Sequence, residues 1–187
     1  MPFDHFNLIA GIYDKAGDFS LSEPLQGLLS LSPDNLLLDA GGGTGRVSAV
    51  LRGRVRNVVV ADTSLGMLRH ASTKFLVTAC AAVESLPFLS NTFDRILMMD
   101  ALHHVLDQGQ TARELWRVLA PGGRIVIAEP DIHKMAVKAL AIGEKVLLMR
   151  SHFLSGGSIG ALFSGSASRT SIFEEGFNVY VVVEKGT

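Results

Sequence analysis

The chain has 187 residues, with 17 basic and 18 acidic side chains, so its formal net charge is −1 at neutral pH. This length suits one domain, and the near-neutral charge gives no general reason to expect a nucleic acid or an acidic membrane as partner. The single cysteine, Cys80, excludes an internal disulfide and a zinc cluster of several thiolates and suits the cytoplasm, while the apolar runs are all shorter than the roughly 20 residues of a membrane span.

Apolar periodicity predicts the elements in chain order. Helical spacing indicates two amphipathic pieces at residues 6–14 and 19–31. Five short apolar runs then alternate with segments of helical spacing, and this alternation predicts a doubly wound α/β sheet with helices on both faces. The predicted strands cover residues 36–38, 58–61, 75–80, 93–99 and 125–128, and the helices between them lie at 47–51, 65–71 and 111–119.

The pattern changes after Glu129. Residues 132–149 predict a long apolar helix, and residues 151–171 are rich in glycine and serine with scattered apolar side chains. Glycines at 156, 157, 160 and 165 favour a mobile lid. Residues 178–183 predict a final β-branched strand.

A glycine-rich loop, Asp39 to Gly45, follows the first predicted strand. Open α/β sheets bind nucleotides where such a loop joins a strand to a helix. The loop lacks the lysine of a phosphate-binding P-loop, and Arg46 stands where a dinucleotide fingerprint needs its third glycine. The Asp39 carboxylate would repel a pyrophosphate but would favour an ammonium or sulfonium group. A purely structural tight turn is the alternative.

The second predicted strand ends in Asp62, which lies 23 residues after Asp39. An acidic residue at this place can accept both hydroxyl groups of an adenosine ribose. The alternative is that Asp62 caps the N-terminus of the following helix. Cys80 lies in an apolar run, so a buried and inert thiol is expected.

In their order along the chain, several segments resemble class I S-adenosylmethionine-dependent methyltransferases. The matching segments are 38–45, 60–68, 84–88, 93–94, 101–105 and 114–124. The resemblance runs from about Phe6 to Val183, and it implies a Rossmann-like fold that takes a methyl group from S-adenosylmethionine and releases S-adenosylhomocysteine. Within the family, residues 6–14 resemble the opening of the ubiquinone/menaquinone-type C-methyltransferases.

The resemblance also implies roles by position. The loop would hold the methionyl part of the cofactor, Asp62 the ribose and Met67 the adenine. Relatives commonly carry an aspartate at the position of Ala82, and Glu84 or a backbone carbonyl is expected to compensate for its loss. The implied cofactor-binding residues are Asp39, Ala40, Gly41, Gly42, Gly43, Gly45, Asp62, Thr63, Met67, Ala82, Val83, Glu84, Asp100 and Ala101.

Methyl transfer from a sulfonium is an in-line displacement, so positioning supplies much of the catalysis. A general base is needed only if the acceptor arrives protonated, and the candidates are His103, His104 and Tyr13. Structural support of the loop is the alternative role for either histidine. We find no compact set of metal ligands, so no metal is expected. Residues 100–103 also lack the Pro-Pro-aromatic sequence of enzymes that methylate amino groups of nucleic acids.

The single domain is expected to comprise an N-terminal helical cap (1–32), a cofactor-binding core (33–130), a substrate cap or lid (131–172) and a terminal strand (173–187). Apolar residues of the caps favour a small apolar or aromatic acceptor. Sheets of the family commonly end in an antiparallel pair, giving seven strands, yet only residues 178–185 remain for it. Either the final hairpin is truncated or the last strand lies elsewhere, and a six-stranded sheet would expose an edge that favours a homodimer.

Two functions therefore stay open from the sequence. The first is a methyltransferase that acts on a small molecule, and the second is a protein of the same fold that binds the cofactor without catalysis. Turnover to S-adenosylhomocysteine in the presence of an acceptor separates them.

Overall fold

A computed structural model describes residues 23–134, 151–165 and 168–187. Seven strands form one sheet in the order β3-β2-β1-β4-β5-β7-β6. Strands β1 to β5 pair in parallel, and β7 runs antiparallel to both β5 and β6. The strands are β1 (Leu36–Ala40), β2 (Asn57–Asp62), β3 (Val77–Cys80), β4 (Phe93–Met99), β5 (Leu119–Pro130), β6 (Ser168–Glu175) and β7 (Asn178–Lys185). The predicted mostly parallel, doubly wound sheet is confirmed, with seven strands.

The helices cover both faces of this sheet. They are α1 (Glu23–Leu29), α2 (Arg46–Leu51), α3 (Leu65–Thr73), α4 (Gln108–Val118) and α5 (Gly156–Ala161), with a 3-10 turn at Leu102–His104. The predicted helix at residues 6–14 and most of the one at 132–149 lie outside the described residues, as does Tyr13. In the described ranges, no helix is long and apolar enough to cross a membrane.

Successive side chains of the central strands enter two different apolar clusters. Leu37 and Val58 belong to the cluster under α1, α2 and α3, whereas Leu38 and Val59 belong to the cluster under α4 and α5. A strand alternates its side chains between the two faces of its sheet, so a strand covered on both sides is apolar throughout. The short apolar runs of the central strands therefore predicted these strands correctly.

The antiparallel hairpin of β6 and β7 is complete. Ser168 to Glu175 pairs along its whole length with β7, so residues 168–172, predicted as the end of the cap, belong to the sheet. Of the two alternatives, the truncated hairpin is therefore wrong. Because the sheet has seven strands, the exposed edge of a six-stranded sheet no longer supports a homodimer. Strand β6 escaped prediction because it is an edge strand with mixed composition, in which the apolar Ile172 and Phe173 stay exposed.

Helix α5 packs closely on the hairpin. A Cβ on Gly156 would lie 2.6 Å from Cγ2 of Val179, and one on Gly160 would lie 3.1 Å from Cγ2 of Thr170. Ile159 and Phe163 are fully buried in the main core. Gly156 and Gly160, two of the four glycines that favoured a mobile lid, therefore let α5 approach the sheet, and this packing does not fit a lid over residues 156–163.

Lys185, the last residue of β7, joins the hairpin to the loops around α4. Its Nζ donates to Oδ1 of Asn91 at 2.9 Å and to the carbonyls of Trp116 at 3.0 Å and Leu119 at 2.7 Å. The ammonium also lies 5.0 Å from the centre of the Trp116 ring. Its three donors and the cation–π contact thus bind one end of the sheet together.

We expect Lys185→Met to lower the free energy of unfolding by about 1–3 kcal/mol, because hydrogen bonds from a charged group are lost while the apolar stem is kept. Urea unfolding of the two proteins measures this. The destabilisation should appear as a lower midpoint with an unchanged slope. An unchanged midpoint would contradict the anchoring role.

Candidate functional site

The sheet order creates a crevice beside β1. The chain leaves β1 for β2 on one side and returns to β4 on the other, so the loops after β1 and β4 diverge. In open α/β sheets, ligands bind at such a switch point, outside the carboxyl ends of the strands. Residues 41–45 and residues 100–104 border this crevice.

The glycine loop turns sharply at the end of β1. Gly41, Gly43 and Gly45 have φ angles of +72°, +54° and +69°, a region that is costly for residues with a Cβ. The amide of Gly41 donates to the carbonyl of Ala61 at 2.7 Å. A Cβ on Gly41 would lie only 2.7 Å from Cβ of Ala101, so the two loops bordering the crevice are in close contact.

Asp39 is buried directly beneath this loop. Its side chain is 2% exposed, and its Oδ2 accepts a hydrogen bond of 2.6 Å from the Ser48 hydroxyl at the start of α2. Burial raises the pKa of Asp39 to about 6; the Ser48 hydrogen bond opposes this shift, and the nearby Asp62 carboxylate adds to it. A cation bound in the crevice would favour the ionised carboxylate.

Asp62, at the end of β2, is held by two backbone amides. Its Oδ2 accepts from Gly43 at 3.0 Å and its Oδ1 from Ser64 at 2.8 Å. The residue that caps α3 is Ser64, whose hydroxyl accepts from the amide of Met67, so the alternative of Asp62 as the helix cap is wrong. Each carboxylate oxygen has two lone pairs, and an oriented Asp62 can therefore also accept hydroxyl groups.

The segment after β3 is positioned by Glu84. Its Oε1 accepts from the amides of Leu106 at 2.8 Å and Asp107 at 3.4 Å, which joins this segment to the loop that precedes α4. Ala82 is exposed and Val83 is buried. One oxygen of the Glu84 carboxylate is thus engaged with backbone amides.

The thiol of Cys80 lies at the end of the edge strand β3 and is exposed. Its Sγ lies 3.7 Å from the carbonyl oxygen of Thr63, which is itself exposed. The prediction of a buried thiol is wrong because β3 has a partner strand on one side only, so its short apolar run is not covered.

The loop after β4 begins with a left-handed turn at Asp100, whose φ is +51°. Partial loss of its water shell and the nearby Glu129 carboxylate raise the pKa of Asp100 to about 6, with His103 and Arg46 opposing the shift. The side chain remains exposed, so solvent screens these charges. The amides of Ala101 and Leu102 both donate to Oε1 of Glu129 at 2.9 Å.

His103 and His104 follow in the 3-10 turn and differ in environment. His103 is 4% exposed, and its Nδ1 lies 2.5 Å from Oε2 of Glu129. Its ring stacks on Phe153 with centroids 4.3 Å apart. His104 is half-buried, with Nδ1 3.4 Å from the Ser151 hydroxyl. Glu129 therefore contacts both the backbone of this loop and the His103 imidazole.

A cavity of about 460 Å³ lies beside the histidines, at the carboxyl ends of β4 and β5. Apolar side chains dominate its wall, and Phe153 joins that wall to the His103 ring. It is lined by Val105, Leu106, Gln108, Ile132, Ser151, His152, Phe153 and Leu154. A volume of this size suits a small molecule.

The structure thus brings the predicted residues of the loops after β1, β2 and β4 together at the carboxyl ends of the parallel strands. Sequence reasoning missed Ser48 and Glu129, and it placed Phe153 in the substrate cap without its stacking on His103. Glu129 carried one signal, since it is an acidic residue at the end of an apolar strand. Within the described parts of the chain, no group of three or more His, Cys, Asp or Glu side chains could hold a metal ion.

Comparison with known proteins agrees with this geometry. Residues 38–127, which run from β1 to β5, match the family described as "Methyltransferase domain". Residues 38–127 are therefore similar to a methyltransferase domain. A demethylmenaquinone methyltransferase of Corynebacterium urealyticum is 40% identical over 101 residues, which are 54% of this chain and 44% of that protein. The ubiquinone/menaquinone biosynthesis C-methyltransferase UbiE of Escherichia coli is 36% identical over 104 residues, 50% of this chain and 41% of that protein.

The matched part of the chain spans less than half the length of these curated relatives. Solved structures confirm the fold. A SAM-dependent methyltransferase from Aquifex aeolicus superposes with a TM-score of 0.75 at 18% identity, covering 97% of this chain and 98% of that one. An S-adenosylmethionine-dependent methyltransferase from Mesorhizobium loti gives 0.71 at 16% identity, covering 87% and 96%.

The family and the fold imply S-adenosylmethionine as the cofactor of the methyltransferase domain. The crevice fits this group on two counts. At Gly43 an added Cβ would meet only Sδ of Met67, at 3.9 Å, so the loop leaves room for a ligand beside this part of its backbone. The carboxylates of Asp39 and Asp100 border a site for a ligand that carries a sulfonium and an ammonium.

Proposed function

We propose that the methyltransferase domain transfers a methyl group from S-adenosylmethionine to a small apolar or aromatic molecule and releases S-adenosylhomocysteine. The observation that carries the proposal is the meeting of the glycine loop, Asp39 and Asp62 at the switch point of the sheet. The single cysteine and the near-neutral charge support a cytoplasmic protein whose acceptor is not a nucleic acid.

The chain's own residues would hold the cofactor as follows. The oriented Asp62 carboxylate accepts the ribose hydroxyls, and the buried Met67 packs by the adenine. Asp39 offsets positive charge beneath the loop. The Ala101 amide donates to Glu129 and the Ala101 carbonyl accepts the His104 amide at 3.1 Å, so an ammonium group could bind here only through a remaining carbonyl lone pair.

When bound, S-adenosylmethionine supplies an electrophilic methyl group on a sulfonium. The domain's contribution is to align the acceptor, exclude water and remove a proton from an acceptor that arrives protonated. We propose His103 and His104 for the proton, because both lie by the cavity wall formed by Ser151 and Phe153. With Nδ1 of His103 engaged by Glu129, Nε2 is the atom through which His103 would act.

The cavity between the ends of β4 and β5 is the proposed acceptor site. Its apolar lining supports an apolar ring system. The names of the relatives, a demethylmenaquinone methyltransferase and a ubiquinone/menaquinone biosynthesis C-methyltransferase, support a reduced quinone-like aromatic acceptor.

Isothermal calorimetry with S-adenosylmethionine and S-adenosylhomocysteine tests the cofactor site. We expect Asp62→Ala to weaken both affinities by about 10- to 100-fold, because hydrogen bonds to a charged group contribute about 1.5–3 kcal/mol. Asp34→Ala, an exposed residue of the turn before β1, is the matched control and should leave both affinities unchanged. Equal affinities for wild type and Asp62→Ala would contradict the assignment.

Turnover separates the enzyme from a protein that only binds the cofactor. With reduced quinone-like acceptors, S-adenosylhomocysteine should accumulate and a methylated product should appear by mass spectrometry. Tight cofactor binding with no product across a broad panel of small acceptors would favour the non-catalytic alternative.

A further inference from the structure

The Glu129 carboxylate at the end of β5 is buried, with 3% of the residue exposed. One of its oxygens accepts the amides of Ala101 and Leu102, and the other faces Nδ1 of His103. These three partners lie 26 to 28 residues away along the chain. A single buried group therefore holds the turn that borders the crevice and the ring that stacks on Phe153 of the cavity wall.

We propose that Glu129 is a positioning residue that fixes the proton of His103 on Nδ1 and thereby sets which ring nitrogen can act as a base. An ionised carboxylate can only accept hydrogen bonds, so the nitrogen facing Oε2 must carry the proton. The two backbone amides on Oε1 stabilise the ionised carboxylate.

Stacking completes the restraint on the ring. The His103 and Phe153 planes are 15° apart with centroids 4.3 Å apart, and the His103 carbonyl accepts the amide of His152 at 2.8 Å. The ring therefore cannot tilt without disturbing Phe153 in the cavity wall, and a flip within the ring plane would lose the contact of Nδ1 with Glu129. The role in catalysis rests on the proposed function, whereas the proton position does not.

Nitrogen-15 NMR of the histidine side chains tests the proton position without any cofactor. The His103 signals are identified by their loss in His103→Asn. In the wild type, Nδ1 of His103 should carry the proton. In Glu129→Gln, the amide group that replaces Oε2 donates to Nδ1, so the proton should move to Nε2. An unprotonated Nδ1 in the wild type would overturn the proposal even if the variant failed to fold.

Glu114→Gln is the matched control. Glu114 is also a carboxylate that accepts a backbone amide, that of Leu86, and it pairs with Arg117 on α4. This substitution should leave the His103 spectrum as in the wild type. The same change of His103 in both variants would mean that the ring responds to general loosening, which would overturn the proposal.

A kinetic comparison then tests the positioning role. Glutamine keeps an oxygen for the amides of Ala101 and Leu102, so Glu129→Gln should keep cofactor affinity within about threefold while kcat falls at least tenfold. Glu129→Ala also releases those amides and should weaken cofactor affinity further. If the two variants lose cofactor affinity equally and kcat does not fall separately, Glu129 is only structural. A wild type with the expected proton position but no turnover would count against the proposed function alone.

Discussion

We expect Gly41→Ala to lower the free energy of unfolding by about 2–5 kcal/mol and to abolish measurable cofactor binding. An alanine in the left-handed region costs about 1–2 kcal/mol, and forcing a methyl group into a packed site adds about 1–3 kcal/mol. Both apply at Gly41, whose φ is +72° and whose added Cβ would lie 2.7 Å from Cβ of Ala101. Urea unfolding and calorimetry measure the two effects.

Two further variants separate the causes. Gly176, in the turn between β6 and β7, has a φ of +59° and open space around it, so Gly176→Ala should show the backbone cost alone. In the double variant Gly41→Ala/Ala101→Gly the clash is gone, and most of the steric part of the loss should be recovered together with cofactor binding. Equal destabilisation by Gly41→Ala and Gly176→Ala would refute the contact between the two loops.

Replacement of Asp39 by asparagine should stabilise the cofactor-free protein at pH 8 while weakening cofactor affinity at least tenfold. Burial raises the pKa of Asp39 to about 6 from an ordinary value of 3.8. Keeping this carboxylate ionised in the folded state therefore costs on the order of 2–3 kcal/mol. Asparagine fills the same space without charge, but its buried amide group needs hydrogen-bond partners, which costs part of the gain. We therefore expect the free energy of unfolding to rise by about 1–2 kcal/mol.

The sign of the pH dependence follows from the raised pKa. The protonated form favours folding, so the contribution of Asp39 is fully present below its unfolded value of 3.8 and is lost as the pH rises through about 6. The advantage of Asp39→Asn should thus be large at pH 8 and small at pH 4.5. Denaturant unfolding at the two pH values measures it.

A substitution at Ser48 should change stability in the opposite direction to Asp39→Asn. Its hydrogen bond to Oδ2 lowers the pKa of Asp39, so Ser48→Ala should destabilise the protein more at pH 8 than at pH 4.5. Equal effects of Asp39→Asn at both pH values would show that the buried charge does not limit stability. The cofactor affinity of the wild type should also fall as the pH drops below about 6, since a protonated Asp39 no longer attracts a cation.

Much of the fold could be predicted because its central strands are covered on both faces. Runs such as Val58–Val60 can only be buried strands, and the glycines after β1 and the acid after β2 stand at fixed places relative to them. The ordered set of motifs therefore located the crevice. Strands β3 and β6 lie at the two edges of the sheet, where half of each strand meets solvent, and there the apolar pattern weakened.

The parts of the site that escaped prediction are made by contacts between distant residues. Glu129 contacts His103 because β5 lies beside β4. Phe153 stacks on His103 because the segment at residues 151–154 lies against the loop after β4. Gly156 resembled a hinge in sequence, yet its lack of a side chain serves close packing on Val179. Composition cannot distinguish these two uses of glycine, since both require only the absence of a Cβ.

Strand β5 has consequences for how the protein folds as it is synthesised. It can pair with β4 once residue 130 has left the ribosome, but its other edge finds its partner only in β7, where Arg124 pairs with Glu184, 60 residues later. A nascent chain is therefore expected to expose the backbone edge of β5, the longest strand among the described residues, until β7 has left the ribosome. Early release of the chain, or slow translation of residues 131–177, would favour aggregation through this open edge.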